Sequence, residues 1–132
     1  MKPFKYSFAT SVQKTSFNAI SQTGWKTDIT ILSQLGYDAV ELAIRTPELI
    51  TITELEKELE KNKLKLSAIG TGQAFLEEGL FLGSTDNTIQ TSTLRRLEDH
   101  VKLASPFNSK VILGLIRGSR KLDTFSEPHF KE

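Results

Sequence analysis

The sequence contains no cysteine. Disulfides, thiolate nucleophiles and cysteine-held metals are therefore excluded, and a reducing, cytoplasmic setting is expected. It contains two histidines, His100 and His129, and neither an H-E-x-x-H nor a His-x-His pattern, so it encodes no histidine-rich metal centre. It lacks an excess of charge: 17 basic against 16 acidic residues leave +1. No global field draws nucleic acid or an anionic membrane, and the basic residues form no stripe interleaved with aromatics. No run of about 18 apolar residues exists to span a bilayer. The opening MKPFKYSFATS is a poor signal peptide, because it has no sustained apolar stretch. Gly70-Thr71-Gly72 is neither a GxGxxG fingerprint nor part of a GxxxxGK[ST] loop.

What is present is a chain of 132 residues, 38% hydrophobic and 25% charged, the size and composition of one small globular domain. Three stretches share one grammar: GYDAVELAIR (36–45), KLKLSAIGTG (63–72) and NSKVILGLIRG (108–118). In each, a short apolar run follows a turn or a charged helical segment, as in repeated βα units. The expected strands are Lys5–Ser11, Tyr37–Arg45, Leu64–Ile69 and Val111–Ile116. The expected helices are Thr27–Leu35, closed by Gly36, a second running to about Asn62, and Thr88–Ala104. Thr51 with Glu54 and Thr53 with Glu56 are equal candidates for the second helix's capping box, and Glu54 can pair with Lys57. Its buried stripe is Ile52, Leu55 and Leu59. That of the third helix is Leu94, Leu97, Val101 and Ala104, with His100 on a wet flank. Residues 74–87 form a long apolar connection, with no helix starting at Gly72. The sheet is expected parallel, in the order of the chain and without a hairpin. Residues 119–132 form a polar tail after a domain at 1–118.

Strand alternation singles out Glu41. Val40, Leu42 and Ile44 share one face of the second strand, and Ala39, Glu41, Ala43 and Arg45 the other. A carboxylate in mid-strand needs a partner. Either it binds substrate hydroxyls or supports a metal site, or it belongs to an internal salt bridge that holds the sheet; Arg45, about 13 Å along an extended strand, is too far for ready direct pairing. Gln73 lies where the third strand ends, and the Gly70–Gly72 glycines would let that end turn beside a ligand. Arg117 ends the fourth strand, where an arginine suits a phosphate or carboxylate. Phe75 and Phe81 belong to an apolar stretch that must cover something or be covered. No pair of carboxylates is placed for acid–base work across a pocket.

Together, GYDAVELAIR, KLKLSAIGTGQAFLEEGLFLGSTDN, LRRLEDHVKLA and KVILGLIRG resemble the sugar phosphate isomerase/epimerase family, the xylose-isomerase-like TIM barrels. The resemblance runs over nearly all of 5–118. It implies an α/β fold, the N-terminal half of a (β/α)8 barrel. It also implies a keto-sugar or keto-acid isomerase or epimerase that uses Mn²⁺ or Mg²⁺. In that family Glu, Asp, His and Glu on second-half strands hold the metal, and nothing here matches those four. The expectation is therefore a truncated or partial enzyme, inactive alone and without a cofactor of its own. Its substrate-binding residues would be Glu41, Gln73, Arg117 and Phe75, with Phe81 in the pocket cover. The alternatives are a non-catalytic half-barrel assembly module and, less favoured, an endonuclease-IV-like enzyme, which needs a metal cluster and basic face not seen here. Small sugars are the expected ligands, and self-association or a complementary second-half chain the expected assembly. A tail carrying Leu122, Phe125 and Phe130 could instead fold back over the open face.

Overall fold

In the computed structural model, residues 3–17 and 20–118 are described. Four strands form one sheet in the order β1-β2-β3-β4, and every pairing is parallel. They are β1 (Ser7–Ser11), β2 (Ala39–Ala43), β3 (Lys65–Gly70) and β4 (Lys110–Ile112). The helices are α1 (Trp25–Gln34), α2 (Ile52–Asn62), α3 (Gly72–Glu78) and α4 (Asn87–Ala104). The arrangement is that of a half (β/α)8 barrel. The expected tail at 119–132, with Leu122, Phe125 and Phe130, lies outside the described residues.

The alternation of β2 decides which side of the sheet becomes the core. Val40, Leu42 and Ile44 are fully buried against Ile29 and Leu32 of α1, Leu55 and Leu59 of α2, and Leu103 and Ala104 of α4. Leu66 and Ile69 of β3 join the same layer. The opposite face carries Ser7, Ala9, Ala39, Glu41, Ala43 and Gly70, with Lys110 and Ile112 from β4 in register. Beside Glu41 the register slips by one residue, which leaves Ser67 as a bulge in β3. Its hydroxyl donates to Val40 O at 3.1 Å and sits 2.7 Å from Ser7 Oγ, so the irregular ladder keeps its polar groups occupied.

The local signals mostly act where they stand. Gly36 takes φ 82 after α1, as a stop residue must. Thr51, not Thr53, caps α2, its Oγ1 accepting from Glu54 N at 3.1 Å. Glu54 pairs with Lys26 of α1 rather than with Lys57, which fastens two neighbouring helices instead of one turn. Ile52 is 41% exposed, and Asn62 replaces it on the buried side, held by Glu58 O.

Three expectations are corrected. Residues 72–78 form α3, so a helix does start at Gly72. Ala, Leu and two Glu favour it, Gly79 ends it at φ 68, and seven residues are too few to display a periodic stripe. The face of α4 is turned by about one residue. Thr93, His100, Leu103 and Ala104 are buried, while Leu94 and Val101 are about half exposed. His100 enters the core because the protein answers its polarity: its ring nitrogens lie 2.7 Å from Arg96 O and 2.6 Å from Ile44 O. Burial pushes its pKa below the usual histidine value against the pull of those carbonyls. Thr93 donates to Ile89 O at 2.7 Å. Finally, β4 stops at Ile112, and Leu115–Arg117 is a 3₁₀ turn. Gly118 then takes φ 84 against Phe81, where a Cβ would meet Phe81 Cδ2 at 2.6 Å, so only glycine fits.

The corrected face of α4 is tested by two truncations. Leu103→Ala should lower the unfolding free energy in urea by about 2–5 kcal/mol. Leu94→Ala should change it by no more than about 0.5 kcal/mol. Equal losses would contradict the face described here.

Candidate ligand-binding site

A cavity of about 310 Å³ lies on the face of the sheet opposite the packed core, toward the C-terminal ends of the strands. Its floor is Ala9, Glu41, Ala43 and Gly70, small residues except for the glutamate. Its walls are Leu76 of α3, Ile112 at the end of β4, Leu115 beyond it, and Phe17 and Ile20 of the β1–α1 loop. The floor is spacious because its side chains are short: a Cβ built on Gly70 would lie 3.6 Å from Glu41 Oε1. A second cavity, of about 650 Å³, opens at the opposite end of the strands, between Leu59, Lys63 and Phe107. The two buried side-chain atoms without a partner among the described residues, Gln73 Oε1 and Ser109 Oγ, belong to residues that do not line it.

Glu41 projects from the middle of β2 into the first cavity. Among the described residues none pairs with it, and burial raises its pKa above the usual carboxylate value. Arg45 does not pair with it, in keeping with the distance along the strand. The Arg45 guanidinium turns toward Lys14 O, with Nη1 at 3.4 Å. Its backbone is held elsewhere: Gln13 Oε1 accepts from Arg45 N at 2.8 Å, and Gln13 Nε2 donates to Thr46 O at 3.1 Å. Arg96 of α4 donates to Arg45 O at 2.7 Å and pairs with Glu78 of α3. With the end of β2 clamped from both sides, Glu41 stands on a rigid element.

Gln73, in the first turn of α3, is 4% exposed and also lines the cavity. Its Nε2 donates to Ser11 Oγ at 2.7 Å. The Ser11 hydroxyl proton is already given to Gln13 O, so Ser11 can only accept there, which fixes the orientation of the amide. Gln73 Oε1 is left buried with no hydrogen-bond partner among the described residues. Thr71 spends its hydroxyl on Ile112 O at 2.7 Å.

The four expected site residues are thus divided. Glu41 and Gln73 meet at the cavity. Phe75 does not line it; its ring packs edge-on against Phe81 with centroids 6.1 Å apart, behind the wall. Arg117 lies outside as well, exposed on the 3₁₀ turn with Nε donating to Gly114 O at 3.3 Å. The early end of β4 is what carries it away from the strand level. The apolar wall residues Leu76, Ile112 and Leu115 were open to sequence reasoning only as apolar residues near strand ends. Ser11, which fixes the Gln73 amide, carried no signal.

Among the described residues no three His, Asp or Glu side chains gather to hold a metal ion. Glu41 is the sole carboxylate among the described cavity residues. This donor set does not fit a divalent ion, which takes several oxygen ligands. No described helix is long and apolar enough to cross a membrane. The chain matches no protein-family model and no curated protein.

The β1–α1 loop is held beside the cavity by two carboxylates. Asp28 of α1 is buried and accepts from Thr10 Oγ1, from Ser21 Oγ at 2.9 Å and from Thr23 Oγ1 at 2.6 Å. Glu77 of α3 accepts from Ser16 N and Ser16 Oγ, both at 2.7 Å, and from Thr15 Oγ1 at 2.8 Å. The Ser16 amide, then the two hydroxyls, bring the Glu77 pKa down to about 2 from an ordinary 4.5. A lowered folded-state pKa means that this contact is fully present above pH 4.5 and is lost as pH falls through about 2. In an NMR titration the Ser16 amide should therefore move with a midpoint near 2; a midpoint near 4.5 would show that the clamp does not form.

Proposed function

We propose that residues 3–118 form the substrate-binding half of a keto-sugar or keto-acid isomerase or epimerase of the divalent-metal (β/α)8 type. The observation that carries this reading is the position of Glu41. It is a half-buried carboxylate without a described partner, set in a cavity toward the C-terminal ends of parallel strands, the end where such barrels keep their sites. Glu41 accepts hydrogen bonds from substrate hydroxyls, and the small floor residues leave room for a sugar carbon chain. Gln73 fixes the floor to β1 through Ser11, and Phe75 supports the wall through Phe81. Arg117 takes no part in the cavity in this reading.

The described residues bind; they are not assigned proton transfer. Among the described residues no second carboxylate lines the cavity with Glu41, and exchange of a proton next to a carbonyl needs a base within reach of it. In this reading the described residues supply neither metal ligands nor the base, and the chain alone is inactive. Adding D-fructose should shift the methyl NMR signals of Leu76, Ile112 and Leu115, and Glu41→Ala should weaken that response at least about tenfold. In D₂O with Mn²⁺ the chain alone should exchange no sugar proton. Unmoved methyl signals, or ready exchange, would overturn the reading.

A half-barrel that assembles is the companion reading, favoured by the edge of β4. Ile112, Leu113 and Leu115 there are 42%, 43% and 49% exposed, and β4 has no second strand partner among the described residues. Exposed apolar surface beside an unpaired strand drives association. Sedimentation at micromolar concentration should show a dimer. A single folded species at 14.8 kDa would count against it.

A further inference from the structure

The electrostatics of the cavity are one-sided. Of the described residues that line it, Glu41 alone is charged, and no lysine or arginine is among them. The two arginines closest in sequence to its strand ends are engaged elsewhere, Arg45 with Lys14 O and Arg117 with Gly114 O. Gln73, also on the wall, is 4% exposed, and its Oε1 is buried without a donor among the described residues. Its amide cannot turn round to present a donor instead, because Ser11 is able only to accept. Thr71, which could have donated a hydroxyl proton into the cavity, gives it to Ile112 O. The remaining walls are aliphatic or aromatic and supply no polar side chain. Among the described lining residues the cavity therefore offers a ligand the Glu41 carboxylate and no free side-chain donor, in surroundings that weaken screening.

A neutral hydroxyl satisfies such a site in part, whereas a phosphate or carboxylate would face a carboxylate with no cation among the described lining residues to offset it. A protonated amine supplies both the hydrogen bonds and the counter-charge. We propose that the cavity binds its ligand through a primary ammonium group paired with the Glu41 carboxylate, and that it discriminates against phosphorylated and other anionic ligands. This rests on the sugar-binding reading above and names the substituent that the ligand carries.

Three probes that differ only at carbon 1 test it: 1-amino-1-deoxy-D-fructose, D-fructose and D-fructose 1-phosphate. Each is titrated calorimetrically into the 132-residue chain at low ionic strength. The amine should bind at least about tenfold more tightly than D-fructose, since charge-assisted hydrogen bonds are roughly twice as strong as neutral ones. The phosphate should bind most weakly. In Glu41→Gln, with circular dichroism unchanged, amine and hydroxyl should bind alike. Equal affinity of the amine and D-fructose, tightest binding of the phosphate, or an amine preference that survives in Glu41→Gln would each overturn the inference while leaving sugar binding intact. Binding of none of the three would overturn both.

Discussion

The alternation of β2 is the constraint on which the rest depends. Three β-branched or long aliphatic side chains, Val40, Leu42 and Ile44, are fully removed from solvent, and each contributes roughly 1.5–3 kcal/mol when buried. A one-residue slip would turn all three outward and bury Glu41 under the helices. Folding therefore fixes the register of β2, and the register places a carboxylate on the open face whether or not that carboxylate helps stability. The Ser67 bulge beside it and the clamps on Arg45 and Thr46 hold the strand at the point where Glu41 projects.

What could be read from the sequence is what depends on local periodicity. The parallel order of the four strands follows from the repeated βα pattern, and the inward and outward faces of β2 follow from period two. Gly36 and Thr51 act through local backbone geometry, which neighbouring residues decide. What could not be read depends on distant partners. His100 is buried because the carbonyl of Ile44, on another element, is there to meet it. The hydropathy of α4 contains no trace of that carbonyl. The helix α3 is shorter than the window in which a helical period can be recognised, and its apolar residues face both the cavity and the loop that follows. Just past β4, Gly114 stands among apolar residues that suit a strand, and a 3₁₀ turn there answers to Ile116 packing into the interior.

The candidate site shows the same division. Glu41 was visible because a charge among alternating apolar residues is anomalous on its own strand. The state of Gln73 was not, since it depends on where the Ser11 hydroxyl proton goes, two bonds away through a separate strand. An acceptor left over in this way is a property of the network and not of any one residue.

The two outer edges of the sheet are not equivalent. On β1, Ser21 returns from the following loop to lie parallel to Thr10, and its carbonyl accepts from Ser11 N at 2.9 Å. The upper half of that edge is already spoken for, by a loop that Asp28 holds in place. On β4 no described strand or loop fills the corresponding position. A strand arriving from outside would meet a ladder ready to zip along β4, whereas beside β1 it would have to stop short of Thr10 or prise Ser21 away. Growth of this sheet is thus polar, like that of a filament with one capped end. Among the described residues, one edge is guarded against pairing with another sheet and the other is left open to it.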